Sequence, residues 1–307
     1  MADDKPELRE KLQEVANKEN ALIMSFIAPD STIRTSPTSI AYARIRVQDL
    51  YDIERTIEDY KKEKGSLPKK LHLIIHTPGG DLSASTKIAT YLQDKFEEIV
   101  AFIPYEAASG GTILCLAAST IVMDSASNLS PIDPQVLYKG QRISVTSYEQ
   151  AINDFKKKNG NLKPEELSSP LPQMANQFDP IIAREMSRLA ADIISVAYRL
   201  LSKSQKPTNL AEKLKILDTV FWIGNSETPH THIIFADEAY RNGLKIDNSN
   251  ENLTLLMLYK EWVSAKLNEN QATHVIKVYS PDAKRIKKQE VKDEQKNEKK
   301  ATKKTKK

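Results

Sequence analysis

An α/β fold with a parallel sheet and crossover helices is what the sequence predicts, on three observations. Apolar runs of strand length recur at residues 22–27, 71–75, 99–103 and 120–123. Segments with apolar residues at helical spacing separate them. Glycine-containing turns follow two of the strands, at Pro78-Gly79-Gly80 and Ser109-Gly110-Gly111. Repeated strand, turn and helix units imply parallel strands, because only parallel neighbours need a crossover of helix length.

In chain order, residues 6–20 (PELREKLQEVANKEN) are dense in good helix formers but weakly apolar, so an exposed or partner-bound helix is expected. LIMSFI at 22–27 is the first strand. Leu50, Ile53, Ile57 and Tyr60 then recur at helical spacing and stop at the turn Lys64-Gly65-Ser66-Leu67-Pro68. LHLII at 71–75 is the second strand, and Ala84, Ile88, Leu92 and Phe96 form the stripe of the next helix. IVAFI at 99–103 is the third strand. The apolar helix ILCLAAS follows Ser109-Gly110-Gly111-Thr112, and 120–123 returns as a strand. Ile182, Met186, Leu189, Ile193, Val196 and Leu200 step by four and three along a long helix, suited to packing on the core or on another subunit. Residues 236–242 read as a short helix with Gly243 at its left-handed cap and a strand at 244–246.

Composition bounds the function. With 307 residues, 40% of them hydrophobic, the chain can bury a large core. A single cysteine, Cys115, excludes an intrachain disulfide framework, and the opening residues have neither the basic flank nor the apolar run of a secretory signal. No apolar stretch reaches the roughly 18 to 20 residues of a membrane span, so a reducing, cytoplasmic setting is expected. The formal net charge of +4 is uneven. Residues 282–307 carry 12 Lys or Arg against 5 Asp or Glu, a net of +7, which leaves 33 basic and 36 acidic residues elsewhere, a net of −3. Excess basicity is therefore a property of the tail, and a specific nucleic-acid-binding domain is not expected. With only Ile286 and Val291 as large aliphatics, the tail cannot offset the entropy of ordering. The expected organisation is a charged helical segment at 1–20, one α/β domain at 21–281 and a disordered Lys-rich tail at 282–307.

The two glycine turns sit at corresponding strand ends, where open parallel sheets build their sites. Pro78-Gly79-Gly80 offers backbone without Cβ atoms, able to aim an N–H at a bound carbonyl. Ser109, ahead of an apolar helix and followed by glycines, is a candidate nucleophile; its bland alternative is an ordinary helix N-cap.

Taken together, His76-Thr77-Pro78-Gly79-Gly80, the stretch from Pro104 through Ala108-Ser109-Gly110-Gly111-Thr112, Ser130-Pro131-Ile132-Asp133-Pro134-Gln135 and Ala236-Asp237-Glu238-Ala239-Tyr240 resemble the ClpP/crotonase superfamily. Within it the chain is most similar to the signal peptide peptidase A-like and serine dehydrogenase proteinase families of serine peptidases. The resemblance spans roughly residues 20–247. It implies a ClpP/crotonase-like fold of repeated β-β-α units and a serine endopeptidase with Ser109 as nucleophile. The oxyanion hole would use the N–H of Gly110 and one from the Pro-Gly-Gly turn, Gly80 in preference to Gly79. It also implies a polypeptide or peptide substrate and a homo-oligomer, without a cofactor.

The general base does not carry over. Where ClpP-type members place a histidine, this sequence has Asp133, and a carboxylate with an ordinary pKa near 4 is a poor acceptor for a serine proton at neutral pH. Asp133 better suits orienting another group or binding the substrate. Two replacements stand open. A lysine, as in the signal peptide peptidase A-like enzymes, points to Lys139 rather than to the solvated run Lys156 to Lys158. Alternatively His230 and His232, at alternate positions of Thr228-Pro229-His230-Thr231-His232, face one way on an extended segment, and a histidine here resembles the serine dehydrogenase proteinase pattern. One His-x-His supplies too few ligands for zinc, so no metal is expected. His72 reads as a core histidine, His76 as a cleft-lining residue and Cys115, Trp222 and Trp262 as packing. Two further possibilities are an inactive ClpP-like binding or assembly protein and a crotonase-like acyl-CoA enzyme. The polybasic tail suits peripheral contact with an anionic membrane.

Overall fold

Helix α1 (Pro6–Glu19) opens the fold in the computed structural model, which describes residues 6–28, 44–138, 140–159, 179–224, 232–267 and 275–279. Leu8, Leu12 and Ala16 of α1, one turn apart, are buried against the protein's own sheet. The expectation of an exposed or partner-bound helix is thus corrected: a stripe of three small contacts suffices to dock a helix whose other positions stay charged. Strand β1 (Ala21–Ile27) is buried at every position. Helix α2 (Val47–Lys64) starts where the Asp49 carboxylate accepts the Arg46 N–H at 2.6 Å and stops at Gly65. It leads to β2 (Lys70–His76). Asp81 caps α3 (Leu82–Lys95) by accepting the Ala84 N–H at 2.7 Å. Strand β3 (Glu98–Phe102), the short β4 (Glu106–Ala107), helix α4 (Gly110–Leu116), β5 (Thr120–Val122) and β6 (Asn128–Leu129) follow.

Beyond β6 the hairpin β7 (Gln135–Tyr138) and β8 (Gln141–Ser144) leads into α5 (Val145–Asn159). The long α6 (Pro180–Gln205) has two halves: Met186 packs with Val145 and Tyr148, whereas Ile193, Ala197, Leu200 and Leu201 join the main core. The predicted interface stripe is therefore covered largely within the chain. Then come α7 (Leu210–Gly224), α8 (Ala236–Arg241), α9 (Asn250–Leu267) and β9 (Val275–Tyr279). Gly243 (φ 95°) ends α8 in a Schellman motif, with Leu244 N–H on Ala239 O and Gly243 N–H on Tyr240 O, both at 3.0 Å. The strand expected at 244–246 shrinks to one bridge, Ile246 to Ile121, because Asp247 and Ser249 then turn the chain into α9.

The main sheet has the order β5-β3-β2-β1-β9, parallel except for β9, which runs antiparallel on β1. One sheet face carries Leu22, Met24, Leu71, Leu73 and Ile75 against α2, α3, α4 and α7. The other carries Ile23, Ile27, Ile74 and Phe102 against α1 and α9. Burial on both faces is why these strands read as continuous apolar runs rather than alternating ones. Among the described residues no helix is long and apolar enough to cross a membrane.

Candidate active site

The site is built where the parallel strands end. Past β2, Thr77 donates its N–H to Glu106 O at 2.9 Å and accepts the Ala108 N–H at 3.0 Å. Thr77 thereby bridges to Ala107, Ala107 pairs with Leu129, and Leu129 bridges antiparallel to Ile234. This second ladder gathers chain from four distant places. Its inward side chains, Thr77, Ala107, Leu129 and Ile234, are all buried.

Glycine is required at two adjacent positions of the first turn. Gly79 has φ 97°, and a Cβ there would lie 2.6 Å from Ala108 O and 2.9 Å from Ser109 Cβ. Gly80 lies against Ile45, whose backbone N a Cβ would approach to 2.2 Å. Gly79 O accepts the Ile45 N–H and Asp81 N–H donates to Ile45 O, both at 2.9 Å, so the intervening Gly80 N–H turns to the opposite side. That side is the serine's: a Cβ on Gly110 would lie 3.1 Å from Gly80 N. The Gly79 N–H, by contrast, donates to Thr77 Oγ1 at 3.2 Å.

Ser109 has φ 51° and ψ −108°, outside the extended region an N-cap adopts, and its hydroxyl makes no cap hydrogen bond to α4. The bland N-cap alternative therefore does not describe it. Such a conformation in a non-glycine residue costs on the order of 1–3 kcal/mol and persists only where its surroundings enforce it. The surroundings are specific. Ser109 N–H donates to Ser130 Oγ at 2.8 Å, and Ser130 Oγ donates to Pro131 O at 3.2 Å. Thr112 Oγ1 lies 2.8 Å from both Ala107 O and Ser130 O. Every residue of α4 is buried, so the serine stands on an element sunk in the core.

Ser109, Gly79, Gly80 and Gly110 thus converge. Asp133 is buried nearby in the chain that follows Ser130, a segment fastened by Ile132 N–H on Ile223 O at 2.8 Å and Val145 N–H on Pro134 O at 3.0 Å. His232 lies two residues before Ile234, on the Pro131 side of the bridge to Leu129, with Nε2 at 3.0 and 3.2 Å from the Glu238 carboxylate. Lys139 and His230 lie outside the described residues, as does the tail. His76 stacks edge-on against Tyr105, with ring centroids 5.8 Å apart. His72 is buried, Nδ1 2.8 Å from Tyr259 Oη; desolvation, helped by the Lys70 charge, lowers its pKa to about 3. Burial pushes the Cys115 thiol far up, which makes it inert packing. Ser130 and Thr112 lie inside the stretches that carry the resemblance, but their supporting hydrogen bonds depend on distant partners and were not legible, and a lone isoleucine such as Ile45 carries no local signal.

A family model described as ClpP-like SDH-type serine proteinase matches residues 5–160. Uncharacterized protein MJ0137 of Methanocaldococcus jannaschii is 29% identical over 252 residues, which cover 81% of this chain and 77% of that protein. Uncharacterized protein MJ1495 of the same organism is 38% identical over 95 residues, 31% of each chain. Among solved structures, a mutant of the 1510-N membrane-bound stomatin-specific protease aligns at a TM-score of 0.37 with 14% identity, covering 69% of this chain and 79% of that one. The family match takes in just over half of the sequence, from α1 through the two glycine turns, Ser109 and Asp133 to the end of α5, and by it the chain belongs to the ClpP-like SDH-type serine proteinases.

Proposed function

We propose that the protein is a serine endopeptidase that cleaves polypeptide or peptide substrates through an acyl-enzyme on Ser109. The observation that carries this is the backbone of Ser109 itself: a strained positive φ, no capping bond from the hydroxyl, and a glycine turn pressed against its Cβ. Strain of this kind, maintained by buried hydrogen bonds, is characteristic of sites where one side chain must be aimed.

In the proposed reaction Ser109 Oγ attacks the scissile carbonyl carbon and gives up its proton to a general base. The N–H groups of Gly80 and Gly110 stabilise the oxyanion, each contributing about a hundredfold to a thousandfold in rate. The base returns the proton to the departing amine, and water then hydrolyses the ester. A histidine of the His230/His232 pair, oriented by Asp133, is the base favoured here, since the Leu129–Ile234 bridge brings the segment of His232 beside the chain that leads to Asp133. Lys139 is the alternative.

The test is labelling with a fluorophosphonate, together with hydrolysis of an unfolded protein. Wild type should label and Ser109→Ala should not. Labelling that survives in Ser109→Ala would overturn the assignment, and a wild type inert to both assays would favour a binding scaffold, for which Asp133 in the histidine's place is the one feature that speaks. A histidine base makes His230→Ala or His232→Ala inactive; a lysine base leaves both variants active and Lys139→Ala dead.

A further inference from the structure

We infer that the outer face of α7 is a self-association seam, which pairs in parallel with the same helix of a second copy of this chain. The inner face of α7, with Ile216, Val220 and Ile223, is buried in the core. The outer face is apolar as well. Leu210, Leu214 and Phe221 are 71%, 51% and 47% exposed, and Leu217 between them is half-buried. Their spacing of four, three and four is that of the alternating d and a positions of a heptad, a stripe about 17 Å long. A helix that is apolar on two faces and covered on one has a face to fill.

Charge specifies the partner and its direction. With Leu210 and Leu217 at d and Leu214 and Phe221 at a, Lys213 falls at g and Asp218 at e. In a parallel pair the g residue of one helix meets the e residue five positions further along the other, so Lys213 faces the Asp218 of the second copy, twice, about a two-fold axis along the helices. An antiparallel pair would set g against g and e against e, and would match neither charge. Both side chains are exposed and have no ionic partner among the described residues. Two heptads are too short to pair as free peptides, but α7 is already held helical by its inner face, so that ordering cost does not recur on association.

Sedimentation of the full-length protein over a wide concentration range is the test. Wild type should self-associate, and Leu214→Glu should reduce the assembly to the species lacking this contact, with an unchanged circular dichroism spectrum. Lys213→Glu or Asp218→Lys alone should weaken association roughly tenfold, and the double reversal should restore it. Under oxidation Leu214→Cys should form a covalent dimer, since a faces a in a parallel pair, whereas Lys215→Cys should not; the buried Cys115 gives no background. A monomeric wild type, an assembly indifferent to Leu214→Glu, a double reversal no better than the single ones, or a Leu214→Cys that fails to cross-link would each overturn the seam.

Discussion

Ser109 donates its backbone N–H to the hydroxyl of Ser130 at 2.8 Å, and through that bond the candidate nucleophile takes its position from chain 21 residues away. Ser130 is itself fixed, as its own hydroxyl hydrogen is directed to Pro131 O. Because Ser109 N–H is occupied, the oxyanion role in the proposed reaction falls to the adjacent Gly110 N–H.

Ser130→Ala should therefore leave a part-buried N–H unpaired and loosen Ser109. The expected losses are about 1–3 kcal/mol of stability and roughly tenfold in fluorophosphonate labelling rate, with Ser130→Thr recovering part of both. Thermal unfolding and labelling measured on the same variants would check this. Full-rate labelling by Ser130→Ala would show that backbone alone holds Ser109.

Gly79→Ala and Gly65→Ala form a matched pair. Both glycines have positive φ, 97° and 88°, but a Cβ on Gly79 would collide with Ala108 O and Ser109 Cβ, whereas one on Gly65 would meet nothing within 4 Å. Gly65→Ala should cost about 1 kcal/mol in stability and leave labelling intact. Gly79→Ala should abolish labelling in whatever fraction folds. Equal labelling by the two variants would refute the turn's role.

Acid should destabilise the protein through His72. The native state keeps this imidazole neutral, with a pKa of about 3, against 6.5 in an unfolded chain. Between those values the unfolded state binds a proton that the native state does not. The associated stability is complete above about pH 6.5 and is lost as pH falls toward 3, at up to about 1.4 kcal/mol per pH unit. Urea unfolding of wild type and His72→Gln from pH 7 downward should differ in slope by about one proton. Parallel slopes would mean that another group carries the acid sensitivity.

Deletion of residues 282–307 should leave peptide hydrolysis unchanged while removing binding to phosphatidylserine vesicles, a contact worth about 1 kcal/mol per basic residue near the surface and weakened by salt. Vesicle binding that persists after the deletion would place the membrane contact elsewhere.

Much of the layer order was legible in the sequence, because strands buried on both faces advertise themselves and the two glycine turns punctuate them at the right places. That Ser109, Gly79, Gly80 and Gly110 would lie together could be read for the same reason: backbone constraints select residue types. What escaped depends on long-range partners. Nothing local to Leu8, Leu12 and Ala16 says that α1 lies on the sheet, since a narrow stripe on a charged helix is also what a solvated helix shows. The positive φ of Ser109 is imposed from Ser130 and Gly79, and no single-residue preference predicts it. The contact of His232 with Glu238 escaped on similar grounds, since a separation of six in sequence does not announce a pairing.

Strand β9 gives the molecule two poles. It enters beside Ile27, next to the strand ends that lead into the glycine turns, and leaves at Tyr279 opposite Ile23, near the start of the parallel strands. The chain thus hands over to its cationic tail at the end of the sheet remote from Ser109. In the proposed function, a tether attached after Tyr279 joins the enzyme on the side away from its cleft and so does not obstruct substrate entry. Grafting a different tether after Tyr279 should then redirect where it cuts without altering what it cuts.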